Sequence, residues 1–282
     1  MVYPIPDSES LVEEAKRLPA IADFSTGAYD SSMPQARTYS NAPITEAIID
    51  LRVRPRTEIG VAVLADVNQG EEPQYPKSEQ LVHAEVTTTL SKGAPPTVSA
   101  SQQPRGYKFI SVNGKSIWQS RVDGFTFSQL APYASWSPFR DEARRLWGRF
   151  REKTMPEAIE RLAVRYINRI DVQSPSIDLK EYFRTSPDIS PDLPQELSGY
   201  FMQLTLPQPD LGGEVLINQT IIPPPKPDVV SVVLDIDLFS NQNVPQSEEA
   251  IWDFFERLHA RKNEVFEACI TDQTRRLFES CR

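Results

Sequence analysis

The chain has 282 residues, a formal net charge of −9 at neutral pH and a pI near 5.0. This acidic balance argues against a general nucleic-acid binder, which needs surplus lysine and arginine to contact phosphates, so a nucleic-acid partner is not expected. We find neither a signal peptide nor an apolar run of the roughly 20 residues that span a bilayer, and we expect the two cysteines to be free thiols. The sequence therefore predicts a cytoplasmic protein without membrane association.

Residues 1–42 are predicted to form an N-terminal arm outside the main domain. Residues 8–18 carry N-capping and helix-forming side chains and precede Pro19, which predicts a short helix. Residues 27–43 are rich in Ser, Pro, Asn and Gln, a composition typical of an extended linker. An arm of this composition can become ordered on binding, so it is a candidate docking element.

The remaining chain is predicted to contain the same order of elements twice, in residues 43–156 and 157–282. Period-2 alternation indicates the strands, and apolar side chains at helical spacing indicate the long helices. In the first half the order is strand, short helix, three strands and long helix, at residues 44–53, 58–67, 80–90, 107–112, 115–127 and 137–154. In the second half it is the same, at 163–172, 179–183, 199–206, 215–222, 229–239 and 247–277. The Asn113-Gly114 pair is a strong hairpin signal.

A direct alignment supports duplication, because residues 122–151 match a second stretch at an offset of 112 positions. The identical pairs are Asp123/Asp235, Phe127/Phe239, Ser128/Ser240, Asp141/Asp253, Arg145/Arg257, Leu146/Leu258 and Arg149/Arg261. We therefore predict an α+β fold in which two tandem β-α-β-β-β-α repeats form one curved antiparallel sheet, with both long helices on one face. This arrangement resembles the TATA-binding-protein-like (TBP-like) and helix-grip folds, which carry unrelated functions.

Three sequence blocks together resemble a sporadically distributed bacterial family of uniform length and unknown function. The blocks are residues 42–52 (APITEAIIDLR), residues 165–170 (RYINRI) and residues 258–271, the last of which begins with LHARKN. The resemblance covers the chain from about residue 41 onward and brings no catalytic residues with it. It implies a gene in a mobile or defence-type locus, of the phage-defence or toxin–antitoxin kind.

Nine charged residues are expected to share the sheet face opposite the helices, and they are the candidate ligand-binding residues. They are Asp50, Arg52, Arg121, Asp123, Arg165, Arg169, Asp171, Asp235 and Asp237. One interpretation is a solvated face of cross-strand ion pairs. The other is a cleft in which arginines clamp a phosphate and carboxylates hold Mg²⁺. The four arginines are matched by five aspartates, which leaves no excess positive charge for a polyphosphate.

The last long helix carries a second, smaller polar group. His259 and Asn263 are four residues apart and share one edge of that helix, so they either contact a ligand or partner, or bond to a neighbouring strand's backbone. Lys262 interrupts the apolar stripe; its amine is expected to reach outward to solvent, with pairing to a buried carboxylate as the alternative. The spacing of the histidines and cysteines predicts no metal site, and no cofactor motif is recognised.

These observations favour a non-catalytic interaction or regulatory protein that acts with a protein partner encoded by a neighbouring gene. A homo-oligomer is also allowed. The alternative is a nucleotide- or phosphate-binding protein, or a Mg²⁺-dependent hydrolase, that uses the charged sheet face. Duplex nucleic-acid binding across a saddle is a third hypothesis, which the charge of −9 opposes.

Overall fold

A computed structural model describes residues 37–56, 59–89 and 97–279 of the chain. The helix predicted at 8–18 and most of the predicted linker lie outside the described residues. The end of the predicted arm packs against the main body, because the ring of Tyr39 lies 5.3 Å from that of Phe278 and its hydroxyl donates to Glu267 Oε1 at 2.6 Å. Residues 37–42 are therefore part of the packed domain.

Nine antiparallel strands form one sheet across the described residues. They are β1 (Ile44–Arg54), β2 (Lys77–Thr89), β3 (Thr97–Ile110), β4 (Ser116–Arg121), β5 (Gly124–Leu130), β6 (Ala158–Val172), β7 (Phe201–Gln208), β8 (Gly213–Ile222) and β9 (Val230–Ser240). Their spatial order is β2-β3-β4-β5-β1-β6-β9-β8-β7, so β1 and β6 lie side by side in the middle of the sheet. The predicted α+β class with one large antiparallel sheet is confirmed.

Both long helices lie on the same face of this sheet. The helices are α1 (Val61–Asp66), α2 (Trp136–Thr154), α3 (Leu179–Tyr182), α4 (Glu248–Cys269) and α5 (Asp272–Glu279). Phe127 stacks on a phenylalanine ring of α2 at 5.3 Å, and the Tyr166 ring lies 6.3 Å from an imidazole of α4. Phe127 pairs with Ile49 and Tyr166 with Ala47 on β1. Since side chains two residues apart on a strand point the same way, α2 and α4 cover one face.

Several element boundaries differ from the prediction, the largest at β3, which begins at Thr97 rather than at residue 107. Three of the other differences have a local cause. The predicted strand at 115–127 is two strands, because the chain turns back at Val122 and Asp123. The first half therefore has four strands after its short helix, so the predicted β-α-β-β-β-α order is wrong for that half. The predicted helix at 247–277 is two helices, because Ile270 leaves helical geometry and bridges to Phe183. Strand β6 begins at Ala158, five residues before the predicted start, where it pairs with the end of β1. The turn at Asn113-Gly114 is confirmed, with Gly114 at φ +68°.

The gapless alignment at an offset of 112 holds for the helices and fails for the strands. In the helices, the aligned positions Phe139/Ile251, Ala143/Phe255, Leu146/Leu258 and Phe150/Lys262 are all buried. In the strands, Phe127 packs on α2, whereas Phe239 lies under the Arg161 guanidinium on the opposite face, 4.4 Å away. A slip of one residue exchanges the two faces of a strand, so the equivalence of Asp123 with Asp235 is also wrong. Asp123 lies in the β4–β5 turn and Asp235 in the middle of β9.

Candidate functional site

The nine predicted charged residues do lie on the sheet face opposite α2 and α4, and a tenth, Arg161, joins them. We call these ten side chains the charged face. Its centre is the buried carboxylate of Asp50, whose oxygens lie 2.9 Å from Arg121 Nη2, 3.2 Å from Arg52 Nε and 3.2 Å from Arg161 Nη1. Thr126 donates to the same carboxylate at 2.7 Å. Arg52 and Arg121 also bind Asp123, and Arg161 also binds Asp237.

The remaining residues of the charged face form two separate pairs toward β9. Arg165 makes a two-pronged contact with the buried Asp235 at 2.8 and 2.6 Å. Arg169 binds Asp171 at 3.0 Å, and Ser231 donates to the same carboxylate at 2.5 Å. The structure therefore brings the nine predicted residues onto one face but divides them into three groups. Arg161 was missed because the predicted strand began after it.

Electrostatics on the charged face follow from burial and pairing. Burial alone would raise the pKa of Asp50, but the three surrounding guanidinium groups and the hydroxyl of Thr126 hold it below its usual value. Asp237 has a single guanidinium partner, and its burial raises its pKa. Each of the five arginines is within ion-pair distance of a carboxylate. Cross-strand pairing accounts for this arrangement without a ligand.

A cavity of about 370 Å³ lies on the other side of the sheet, between α4, the loop that enters α2, and the segment before β1. We call it the α4 cavity. Its aromatic walls include Tyr39, Tyr133, Trp136 and Phe266. Its polar lining includes Arg37, Ser135, Ser137, Asn168, His259, Lys262, Asn263 and Glu267. The cavity therefore combines aromatic walls with several convergent polar groups, which can fix the orientation of a small ligand.

Lys262 is the most unusual group in the α4 cavity. Its side chain is 6% exposed, and its Nζ lies 3.5 Å from the centroid of the Tyr166 ring and donates to Asn263 Oδ1 at 2.5 Å. Within the described part of the chain, no carboxylate lies within ion-pair distance of this amine. Burial lowers the pKa of Lys262 to about 7. Both expectations for Lys262, an outward-reaching amine and a buried ion pair, are wrong.

His259 and Asn263 extend the polar group from Lys262 toward α2. The imidazole stacks on the indole of Trp136, with ring centroids 4.2 Å apart and planes 2° apart, and its Nε2 lies 3.3 Å from Asn263 Nδ2. Burial, followed by the nearby charges of Lys262 and Arg140, lowers the pKa of His259 to about 3. The imidazole is therefore neutral at physiological pH. Asn263 bonds to these two side chains rather than to the backbone of a strand, so that expectation was wrong.

The N-terminus of α2 also opens on the α4 cavity. Ser135, Trp136 and Ser137 line the cavity, and Ser135 is the N-cap residue. Its side chain makes no capping hydrogen bond, and the first turn of α2 carries no acidic residue. The first N–H groups of a helix have no partner within the helix and carry a partial positive charge. This wall of the cavity is therefore electropositive, like the side that holds Lys262.

Comparison with protein-family models gives no match, and comparison with curated proteins gives none. Among solved structures, the di-domain ARO/CYC StfQ from the steffimycin biosynthetic pathway is similar at 8% sequence identity, with 83% of this chain and 97% of that one covered. The TM-score is 0.18, a value that carries no fold or function to this chain.

Two further features bear on the kind of site. In the described ranges, no group of three or more His, Cys, Asp and Glu side chains is placed to hold a metal ion. Among the helices of those same ranges, none has the length and apolar character to cross a membrane. The α4 cavity brings together a buried amine, a helix N-terminus and aromatic rings.

Proposed function

We propose that this chain is a non-catalytic regulatory protein that binds a small organic ligand in the α4 cavity and acts through a protein partner. The observation that carries the proposal is the Lys262 amine, which is buried in the wall of the cavity without a carboxylate partner among the described residues. A buried cation is costly unless it is paired, so this group is where a bound molecule would change the free energy most. Perturbed titratable groups in a cavity are typical of functional sites.

A binding role fits the other polar groups better than a catalytic one. The pKa of His259 near 3 makes its imidazole a weak base at neutral pH, and Asn263 already occupies its Nε2. The amine of Lys262 is likewise held against the Tyr166 ring and Asn263. These groups form a fixed wall that can orient a ligand.

The proposal includes a cytoplasmic partner encoded by a neighbouring gene, in a bacterial family of mobile or defence-type loci. The three sequence blocks quoted above support it, as does the acidic charge, which favours protein over nucleic-acid partners. Strand β7 is an edge of the sheet and exposes Phe201 at 61%, which offers a surface for a partner or for self-association. Co-purification from the host with and without a Phe201→Ser change tests this part: equal recovery of the same partner would remove β7 from the proposal.

We also propose that the domain arose by tandem duplication and has a helix-grip-like or TBP-like architecture with a curved sheet. The strand order supports this, since β5 and β9 flank the central β1–β6 pair, with β4 beyond one and β8 beyond the other. The matching burial of α2 and α4 at an offset of 112 also supports it. An experimental structure in which β1, β5 and α2 fail to superpose on β6, β9 and α4 would contradict it.

Binding in the α4 cavity can be tested with 1-anilinonaphthalene-8-sulfonate, a probe that fluoresces when it enters an apolar site. Ala134 lines the cavity on an exposed loop, so Ala134→Trp should block entry. The matched control is Ala84→Trp on the exposed surface of β2. We expect saturable binding to the native protein and to Ala84→Trp, and its loss in Ala134→Trp. Equal binding to all three proteins would contradict a site in this cavity.

The second candidate, a nucleotide or phosphate ligand on the charged face, is favoured only by the clustering of five arginines there. Its weakness is that an incoming phosphate must displace carboxylates that already bind these arginines. A ligand present at 100 times its dissociation constant adds about 2.7 kcal/mol to the free energy of unfolding. A thermal-shift panel of nucleotides with Mg²⁺ therefore tests it, and the absence of any shift would exclude it.

A further inference from the structure

The charges around the α4 cavity are unbalanced toward positive. Lys262 and Arg37 line it on the cationic side, and Glu267 lines it on the acidic side. The carboxylate of Glu267 is already engaged, since Oε2 accepts from Arg275 Nε at 2.8 Å and Oε1 accepts from Tyr39. Because the Glu267–Arg275 pair is neutral as a unit, the amine of Lys262 keeps an unmatched charge whenever it is protonated.

The helix N-terminus adds to this imbalance from a second direction. The first turn of α2 lines the same cavity through Trp136 and Ser137, the N-cap Ser135 makes no capping hydrogen bond, and this turn itself carries no acidic residue. N–H groups at a helix N-terminus bind anions, and the aligned peptide dipoles of this 19-residue helix place a partial positive charge there. A buried amine and an open helix N-terminus thus face one cavity from α4 and α2, and both favour a negatively charged group.

We propose that the α4 cavity binds a small carboxylic acid with an aromatic or compact apolar body, and that its carboxylate is the missing counter-ion of Lys262. The inference rests on the proposed ligand-binding function. The carboxylate lies between the amine of Lys262 and the first turn of α2, and the apolar body lies against Trp136, Tyr39 and Phe266. A singly charged group is favoured over a phosphate because the amine of Lys262 supplies a single buried positive charge, whereas Arg37 is exposed to solvent.

The amine gives this binding a pH dependence. Since the pKa of Lys262 is about 7, binding of a carboxylate at higher pH requires the amine to take up a proton. The affinity should therefore fall about tenfold for each pH unit above 7. The other titratable groups around the amine are His259, Tyr133, Tyr166, Tyr39, the Glu267–Arg275 pair, the Glu256–Arg140 pair and Arg37.

Those neighbours do not reproduce the same profile. His259, with its pKa near 3, stays neutral above pH 5. Burial raises the pKa of Tyr133 to about 12, and it raises those of Tyr166 and Tyr39 as well, so these phenols stay protonated below pH 9. A loss of affinity between pH 7 and pH 9 is therefore a signature of Lys262.

The test is isothermal titration calorimetry with matched acids and amides: benzoate, phenylacetate and 1-naphthaleneacetate, each beside its neutral carboxamide. The proteins are the native chain, Lys262→Met, and Lys153→Met, which removes an exposed lysine of α2. For at least one acid we expect binding at pH 6.5, weakening at least tenfold at pH 8.5, in the native protein and in Lys153→Met. In Lys262→Met the acid should bind at least tenfold more weakly at pH 6.5, without the pH dependence, while the amide is unaffected.

The outcomes separate the two proposals. Equal affinity for acids and amides in the native protein would overturn the carboxylate inference and leave ligand binding in the α4 cavity intact. If neither the acids, the amides nor the fluorescent probe bind, both proposals fail. Tighter binding of phenyl phosphate than of every acid would replace the carboxylate with a phosphate and overturn the inference in its present form.

Discussion

The two faces of the central sheet handle buried charge in opposite ways. On the charged face, five arginines and five aspartates meet across neighbouring strands, and each arginine contacts a carboxylate. In the α4 cavity, a single lysine side chain is more deeply buried than these arginines, and its amine faces an aromatic ring and an amide. Matched charges hold strands together, whereas an unmatched charge costs stability and can be compensated by a ligand. Because the unmatched charge is that of Lys262, we propose the ligand site in the α4 cavity rather than on the charged face.

The largest expected effect comes from removing the centre of the charged face. Asp50→Ala leaves three partly buried guanidinium groups without their common acceptor, so we expect the free energy of unfolding to fall by about 3 kcal/mol. Chemical denaturation measures it. The control is Asp123→Ala, whose side chain is 53% exposed and should cost less than about 1 kcal/mol. Equal, small losses for both variants would show that the charged face contributes little to stability.

A change of opposite sign is expected in the α4 cavity. Lys262→Met keeps the length of the side chain and removes the amine, so it should raise the free energy of unfolding at pH 7 by about 2 kcal/mol. The pKa of the amine is about 7 in the folded chain and near 10.5 when unfolded. The free energy that the native protein loses by burying the protonated amine is therefore largest below pH 7, and it disappears as the pH rises toward 10.5. The advantage of the variant should therefore shrink between pH 7 and pH 10. A variant less stable than the native protein at pH 7 would contradict this.

A double-mutant cycle on Arg165 and Asp235 measures the coupling free energy of one ion pair on the charged face. The two side chains form a two-pronged contact in which Asp235 is buried and Arg165 is partly exposed. We expect a coupling free energy of about 1 kcal/mol, reduced from that of a fully buried pair by solvent screening. Denaturation of the two alanine variants and the double variant gives this number, and additive losses would mean that the pair is not coupled.

The smallest effect concerns the wall of the α4 cavity formed by residues 37–42. Tyr39→Phe removes the hydroxyl that donates to Glu267 and leaves the ring packing in place, so stability should fall by about 1 kcal/mol. Ligand affinity should change little, because the unmatched amine is untouched. A tenfold loss of acid binding in Tyr39→Phe would instead assign this hydroxyl to the site.

Local patterns predicted those parts of the fold that depend on neighbouring residues. Period-2 alternation placed Asp50 and Arg52 on the outer face, and helical spacing predicted α2 to within one residue at its start. Arg161 was missed because the first residues of β6 are held in the sheet by pairing with β1, which lies more than 100 residues away. The alignment at an offset of 112 was wrong for the strands, because a shift of one residue moves every side chain to the other face of the sheet. It was right for the two long helices, because both keep buried residues at the aligned positions.

The site itself shows where sequence patterns fail. At aligned positions of the two long helices, α2 has Trp147 and Phe150 while α4 has His259 and Lys262, and that departure is visible in the sequence. A lysine in an apolar stripe ordinarily extends its amine to water. Here Tyr166 and the segments at 37–44 and 133–137 enclose it, and these contacts join distant parts of the chain. The sequence shows that Lys262 replaces an aromatic residue, but it does not show that the amine of Lys262 is enclosed.

The most direct measurement is the titration of the Lys262 amine itself, followed by NMR on protein labelled with ¹³C at the lysine side chains. The resonance that is absent from Lys262→Met identifies the amine. We predict that it titrates near pH 7 in the free protein and moves upward when a bound carboxylate provides the counter-ion. A midpoint near 10.5, unchanged by any acid, would show that the amine is solvated or already paired. That result would contradict the proposal that the α4 cavity is the ligand-binding site.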